Sequence, residues 1–330
     1  MSSASQLPPV PAIEGRRIAV LRGGVSAERE VSLTTGEQVM AALREAGAVA
    51  EALDTADLGF IHALRAGDFD AAFICLHGRF GEDGTVQGLL EIIGVPYVGS
   101  GVLASALAMD KHMSRVVLDG ALAAGTPIRM PACEVLHRAA TPNAAQLAAI
   151  SARLGDKVVV KPACEGSAIG VTIVHEPAEL ADAVRVAFEL DDRVLVEQFI
   201  AGVETTTGVL GNAEPFALPT IEIVPEHEFY DYESKYLPGM SRHVIPARVS
   251  EQALRRCDEI AVAVHGLLGC EGMSRSDMIV APDGEVYLLE VNTIPGMTPT
   301  SLLPDAARSA GIAFPDLCAL LVGYALEGAE

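Results

Sequence analysis

Residues 272–297 read GMSRSDMIVAPDGEVYLLEVNTIPGM, and the way this stretch folds governs the rest of the chain. Two apolar runs, 278–281 and 286–291, flank Asp283-Gly284. Asp-Gly between such runs predicts a β-hairpin, because glycine adopts the positive φ that a tight primed turn requires. With Asp283 and Gly284 as the two turn residues, Pro282 faces Glu285, Ala281 faces Val286 and Ile279 faces Leu288. Extending the ladder sets Asp277 against Glu290 and Arg275 against Asn292. Side chains alternate along a strand, so these four polar groups share a face with Ile279, Leu288 and Val286. Val280, Tyr287, Leu289 and Val291 take the other face. Two opposed carboxylates repel each other. On a hairpin with two apolar faces they need neutralising, either by a cation between them or by Arg275 alone. Hard oxygen donors of this kind suit Mg²⁺ bound together with substrate phosphates.

The chain has 330 residues, enough for two or three domains. With 44 acidic and 23 basic residues it carries a net charge of −21. That balance argues against nucleic acid or an anionic membrane as partner, while still allowing lysines to gather at one phosphate site. The cysteines, Cys75, Cys133, Cys164, Cys257, Cys270 and Cys318, form no CxxC and no zinc spacing. They are expected to be free thiols in a reducing compartment. No apolar run reaches the ~18 residues of a membrane span. Prolines interrupt the N-terminus where a signal peptide has its apolar core. A flexible tail over residues 1–16 and a cytoplasmic location follow as expectations.

Beyond the tail, strands over 18–21, 49–53 and 71–76 alternate with helices starting near Ser26, Leu58 and Thr85. Such alternation predicts a Rossmann-like parallel sheet with helices on both faces. Asp54 stands where a ribose-binding acid would, but the first loop, LRGGVSAE, lacks the GxGxxG of a dinucleotide fold. Ser26 is the expected N-cap of the first helix. Glu28 would repel a phosphate there; it suits an amine-bearing ligand or serves as a capping acid. His77 ends the third strand, inside the glycine-rich HGRFGEDG, at the sheet edge where α/β folds bind ligands. It is a ligand contact or a structural imidazole, and Glu82 and Asp83 could cap the next helix.

Residues 157–162, KVVVKP, predict a strand ending in Lys161. The small-residue loop ACEGSAIG and a second strand follow it, which is not the strand-loop-helix of a Walker motif. Backbone N–H groups in such a loop can lie over phosphates. A strand over 193–199 and an alternating β region lead into the polar, aromatic stretch HEFYDYESKYLPGMS. A loop of that length inside a compact domain is usually a functional lid.

The ordered stretches GGVSAEREVSL, LHGRFGEDGTVQGLLE, MDK at 109–111, VKPACEGSAIGV, the Glu197 and Glu204 pair, YDYESKY, RSD, LLEVNTIPGMT and SLLP carry a family resemblance. From about Arg17 onward the chain resembles the D-alanine–D-alanine ligases of the ATP-grasp superfamily. The resemblance implies an α/β ATP-grasp fold: a Rossmann-like substrate domain over 17–110, a central subdomain with a lid over 111–192, and a C-terminal subdomain with the metal and catalytic site over 193–330. It implies that ATP phosphorylates one D-alanine and that the amine of a second displaces the phosphate, for peptidoglycan precursor synthesis.

Roles follow by resemblance. Asp277, Glu290 and Asn292 would hold two Mg²⁺, with Mn²⁺ as a substitute. Lys111, Lys161 and Lys235 would surround the phosphates of ATP. Glu197, Gln198 and Glu204 would lie on the adenine and ribose side. Arg275 and the backbone of Gly296 would stabilise the tetrahedral oxyanion. Glu28 would take the ammonium of the first D-alanine, near His77. Ser301 and Leu302 would receive the carboxylate of the second. Ser167 and Tyr236 would link the two lid segments over the site, and a tyrosine at 236 goes with dipeptide rather than depsipeptide synthesis. A homodimer is also implied.

The chain departs from the family at Gln198, where lysine is common, at Cys164 in the lid, and at Met273, where an aromatic is frequent. The alternatives are a ligase joining D-alanine to D-lactate or D-serine, or a nucleotide sensor without catalysis. An oxidoreductase fails on the first loop.

Overall fold

The structure is a computed structural model that describes residues 7–123, 128–166, 168–225 and 241–327. Its first unit alternates β1 (Arg17–Arg22), α1 (Arg29–Glu45), β2 (Val49–Asp54), α2 (Gly59–Ala66), β3 (Ala71–Ile74), α3 (Thr85–Ile93) and β4 (Tyr97–Val98). The four strands pair in parallel in the order β2-β1-β3-β4. Strand order reverses between β1 and β3, so the loops after these two strands flank the crevice where doubly wound sheets bind ligands. The loop after β1 carries Glu28, and the one after β3 carries His77.

α4 (Val102–Met109) and α5 (Lys111–Ala123) lead to a second unit of β5 (Cys133–His137), α6 (Ala144–Leu154), β6 (Val158–Pro162), β7 (Thr172–Val174), α7 (Leu180–Leu190) and β8 (Arg193–Gln198). Its sheet runs β5-β8-β6-β7 and is antiparallel. α6 and α7 cover one face through Ile150, Leu154, Leu180, Val184 and Phe188. β8 therefore belongs with the central sheet, whereas a division after residue 192 assigns it to the C-terminal unit.

The third unit comprises β9 (Val203–Leu210), β10 (Phe216–Ala217), β11 (Ile221–Pro225), β12 (Ser241–Val244), α8 (Glu251–Leu268), β13 (Met273–Val280), β14 (Val286–Asn292), α9 (Leu302–Ser309) and α10 (Phe314–Leu326). Its sheet runs β12-β11-β9-β13-β14, with β10 on β9. α8 packs against the hairpin through Cys257, Ile260 and Val264 on one side and Met278, Val280 and Leu288 on the other.

The hairpin forms with a different turn from the one expected. Ala281 and Glu285 close it (N···O 2.8 Å), and Gly284 donates to the Ala281 carbonyl at 2.9 Å. The loop is thus three residues, Pro282-Asp283-Gly284, with Gly284 at φ +86°. Three-residue loops built this way are the next most common after two-residue turns. Near the turn Ile279 consequently opposes Tyr287, not Leu288. A bulge between Asp277 and Met278 on one strand and Glu290 and Leu288 on the other then shifts the register by one. The two departures cancel: Asp277 faces Glu290 and Arg275 faces Asn292, as expected. The faces are corrected with them. Val286 and Leu288 lie in the core under α8, and Leu289 joins Asp277, Ile279 and Glu290 on the cleft side.

Two further expectations are corrected. Residues 7–16 are not a loose tail throughout, since Ile13 is buried in the first core and Gly15 N–H bonds to the Gly47 carbonyl at 2.9 Å. Ser26 is not the N-cap of α1; Glu28 holds that position, and Ser26 Oγ accepts from the Glu28 N–H at 3.2 Å.

Candidate active site

The bulged hairpin presents Asp277 to a cleft between the central and C-terminal sheets. Asp277 and Arg275 are each 8% exposed, and a carboxylate so buried needs partners. Arg275 supplies a two-pronged contact, Nε to Oδ1 at 2.8 Å and Nη2 to Oδ2 at 2.7 Å. Thr206 donates its hydroxyl to Oδ1 at 2.6 Å, and the Asn292 amide donates to Oδ2 at 3.2 Å. Opposite Asp277, Glu290 lies 3.5 Å from the Lys111 ammonium. Lys111 opens α5 and also donates to the backbone carbonyl of Glu165, at 2.5 Å, in the loop after β6. Its own N–H binds the Ala163 carbonyl. Lys111 therefore ties the base of the glycine-rich loop to the acidic hairpin.

The far wall comes from the central sheet. Lys161, at the end of β6, holds Glu197 of β8 with Nζ to Oε2 at 2.7 Å. Arg115 reaches the other oxygen of Glu197 at 3.3 Å. Ile169, Ile173, Phe199, Ile279 and Leu289 make much of the remaining surface apolar, and Gln198 and Glu204 complete the rim. An apolar slot bounded by cations can accept a planar ring carrying an anionic chain.

The crevice of the first sheet supplies the third wall. Glu28 is 5% exposed, so it is not a solvated capping acid, and it makes no capping hydrogen bond. Gly78, at φ +67°, lets the backbone pass Glu28: a Cβ there would lie 3.0 Å from its Oε2. His77 is buried, with Nδ1 on Glu82 Oε1 at 3.1 Å. Burial opposes charge on its ring, but the carboxylates of Glu82 and Glu28 outweigh it and hold the pKa above the ordinary histidine value. His77 Nε2 has no hydrogen-bond partner among the described residues. An orphaned buried nitrogen of this kind calls for a ligand or water. Arg275 also acts electrostatically on His77, so the crevice and the hairpin are neighbours.

The donor set fits a hard divalent ion in kind: two opposed carboxylates and one primary amide. Among the described residues no third His, Cys, Asp or Glu completes a metal cluster, so phosphate and water oxygens would have to supply the remaining positions. Mg²⁺ sites are commonly built that way.

Of the residues singled out in the sequence, Lys111, Lys161, Glu197, Gln198, Glu204, Asp277 and Glu290 line one cleft. Asn292 joins Lys111, Glu165 and Glu290 in the adjoining space. Gly296 and Ser301 lie together, since a Cβ on Gly296 would stand 3.0 Å from Ser301 Oγ. Ser301 caps the start of α9 but its hydroxyl binds Thr298, and the Leu302 side chain is buried in the core, which leaves Leu302 only its backbone for a ligand. Asp54, weighed for a ribose, is instead taken by Arg29 at 2.6 and 3.0 Å, which holds its carboxyl well below the usual range. Ser167, Lys235 and Tyr236 lie outside the described residues. Sequence reasoning missed Arg115, Thr206 and Glu82 as partners. Arg115 carried a legible signal, standing four residues after Lys111 on one helical face.

A family model described as D-ala D-ala ligase C-terminus matches residues 122–323, and one described as D-ala D-ala ligase N-terminus matches residues 59–100. The D-alanine–D-alanine ligase of Desulforudis audaxviator is 49% identical over 313 residues, covering 94% of this chain and 99% of the relative. That of Pelotomaculum thermopropionicum is 47% identical, covering 94% and 97%. Among solved structures, the Bacillus anthracis D-alanine–D-alanine ligase complexed with ATP superposes with a TM-score of 0.81 at 34% identity, covering 96% of this chain and 99% of that one. The D-Ala:D-Ser ligase VanG from Enterococcus faecalis gives 0.79 at 32% identity, covering 94% and 100%.

Proposed function

This chain belongs to the D-alanine–D-alanine ligase family, and from that premise we propose how its cleft performs the ADP-forming, ATP-dependent joining of two D-alanine molecules for peptidoglycan synthesis. The observation that carries the reading is the convergence of Lys111, Lys161, Asp277 and Glu290 on one cleft beside the Glu28–His77 crevice. Phosphoryl transfer needs mostly positioning and charge neutralisation. Lys111 and Lys161, with Lys235, hold the polyphosphate, while the apolar slot and the rim of Glu197, Gln198 and Glu204 take the nucleoside. Asp277, Glu290 and Asn292 would hold Mg²⁺, which would supply charge neutralisation to the phosphates. Glu28 receives the ammonium of the first D-alanine, and His77 Nε2 faces its carboxyl end.

Attack by that carboxylate on ATP yields D-alanyl phosphate and ADP. The free amine of the second D-alanine then attacks the acyl carbon, and phosphate leaves. Arg275 and the Gly296 backbone stabilise the oxyanion that develops. The start of α9, with Ser301 and the Leu302 N–H, binds the second carboxylate. The chain divides near residues 110 and 198, the second division lying past β8, and the protein works in the cytoplasm. No single helix among the described residues is long and apolar enough to cross a membrane. A homodimer completes the reading; Ile92 and Leu103, 85% and 71% exposed on the packed helices α3 and α4, support an apolar contact for a second copy.

VanG shows that a similar fold serves a D-Ala:D-Ser ligase, so the second substrate is the point to test. Incubation with ATP, Mg²⁺ and equal D-alanine, D-serine and D-lactate should release phosphate and give mainly D-alanyl-D-alanine by mass near neutral pH. A mainly D-serine or ester product would overturn the dipeptide assignment.

A further inference from the structure

We propose that Arg115 is a positioning residue for the nucleotide phosphates: by sharing the Glu197 carboxylate, it preserves the charge of Lys161 for a polyanion. The inference rests on the nucleotide reading above. Three cations at the cleft each lie against a different carboxylate: Lys111 against Glu290, Arg275 against Asp277 and Lys161 against Glu197. Each is a formally neutral pair. Arg115 has no separate carboxylate among the described residues; it takes Oε1 of Glu197, whose Oε2 already holds Lys161. Its other terminal nitrogen donates to the Pro131 carbonyl, which fixes the guanidinium behind the cleft wall.

Burial makes this surplus matter. The side chains of Glu197, Lys161 and Arg115 are 4%, 8% and 14% exposed, so water screens them little. A buried Lys161–Glu197 pair alone would present a polyanion with no net charge. With the Arg115 guanidinium added, the triad carries a formal charge of +1. Helix geometry delivers the charge: Arg115 lies one turn after Lys111 on α5, so one helix serves both phosphate lysines, Lys111 directly and Lys161 through Glu197. Glu197 then supports Lys161 in addition to its place on the nucleoside rim, since each of its oxygens meets a cation and keeps a further acceptor site.

Calorimetric binding of ADP and of adenosine in magnesium buffer separates charge from scaffolding. Arg115→Met should weaken ADP roughly tenfold, the scale for one charge about 10 Å away at an effective dielectric near ~20. Adenosine, which has no phosphate, should change less than about twofold. Arg115→Lys should recover most of the loss. Adding Glu197→Gln to Arg115→Met returns the triad to a single positive charge and should restore ADP binding. Glu197→Gln alone should tighten ADP, which keeps the test open if Arg115→Met fails to fold. Equal losses for ADP and adenosine, or a further loss of ADP in the double variant, would overturn the assignment. Failure of the unmodified protein to bind either compound would overturn the nucleotide reading itself, and this inference with it.

Discussion

Asp277 is a buried anion whose partners come from its own strand and the two beside it. Arg275 sits two residues away on β13, Asn292 faces Arg275 across the hairpin, and Thr206 is the β9 residue opposite Asp277. Asp277→Asn and Glu290→Gln each remove one charge from the proposed metal ligands without removing volume. Phosphate release should fall by more than the roughly 10–100-fold that an outer partner of a metal site costs. Melting temperature should stay within a few degrees, and near-parent turnover in both variants would remove the metal assignment. His265 shows the opposite use of burial. It is 1% exposed in α8, accepts from Ser274 Oγ at Nδ1 (2.7 Å) and donates from Nε2 to the Gly211 carbonyl (3.1 Å). Burial pushes its pKa down to about 4. The folded state therefore binds fewer protons than the unfolded one between about pH 6.5 and 4. Stability from this group is complete above pH 6.5 and is lost as pH falls toward 4, at most roughly 3 kcal/mol. In urea titrations, His265→Gln should be less stable than the parent at pH 7.5, and that gap should narrow by pH 4.5.

At the scale of elements, the hairpin and α9 shape the site through small backbone concessions. The three-residue loop and the bulge each shift register by one, and together they keep Asp277 opposite Glu290. A slip without compensation would turn the acidic residue away from the cleft. α9 docks on β9 at Gly208, the residue paired with Arg275. A Cβ at Gly208 would lie 2.5 Å from Leu303 Cδ1 and 3.2 Å from Leu218 Cδ1. Gly208→Val should overpack this contact at a cost of about 1–3 kcal/mol. Because Leu303 lies in the first turn of α9, the displacement should raise KM for the second D-alanine more than KM for ATP. Steady-state kinetics with each substrate varied in turn measures the difference, and equal changes would detach α9 from substrate binding.

The whole molecule is closed by its last helix returning to its first sheet. Leu317 and Leu321 of α10 are buried with Leu43 of α1 and Phe73 of β3 in one core, which continues to Met273, Leu302 and Leu303. Residue 321 is thus packed with elements nearly 300 positions earlier, and the crevice holding Glu28 is anchored to the unit holding Asp277. Leu321→Ala should cost about 2–5 kcal/mol. By hydrogen exchange, protection should fall in α1 as well as in α10. Loss confined to α10 would show that the two helices open independently.

Local pattern was enough for much of this. Period-two apolar runs and a Gly-containing turn identified the hairpin, and βα alternation identified the parallel sheet, because strand period and turn φ are local properties of the chain. The ordered motifs then identified the family and the residue types of the cleft. What stayed illegible depended on distant partners. Leu288 faces the core and Leu289 the cleft because a bulge, which no composition rule marks, sets Leu289 on the same side as Glu290. β8 joins the central sheet because it fits between β5 and β6, and Asp54 belongs to Arg29 because α1 brings the guanidinium there. Glu197 could be named from the sequence, but its two cations converge from β6 and α5 only when those elements pack. The sequence determines which groups are present and their local period; packing decides which charge neutralises which, since that depends on distances set by the whole fold.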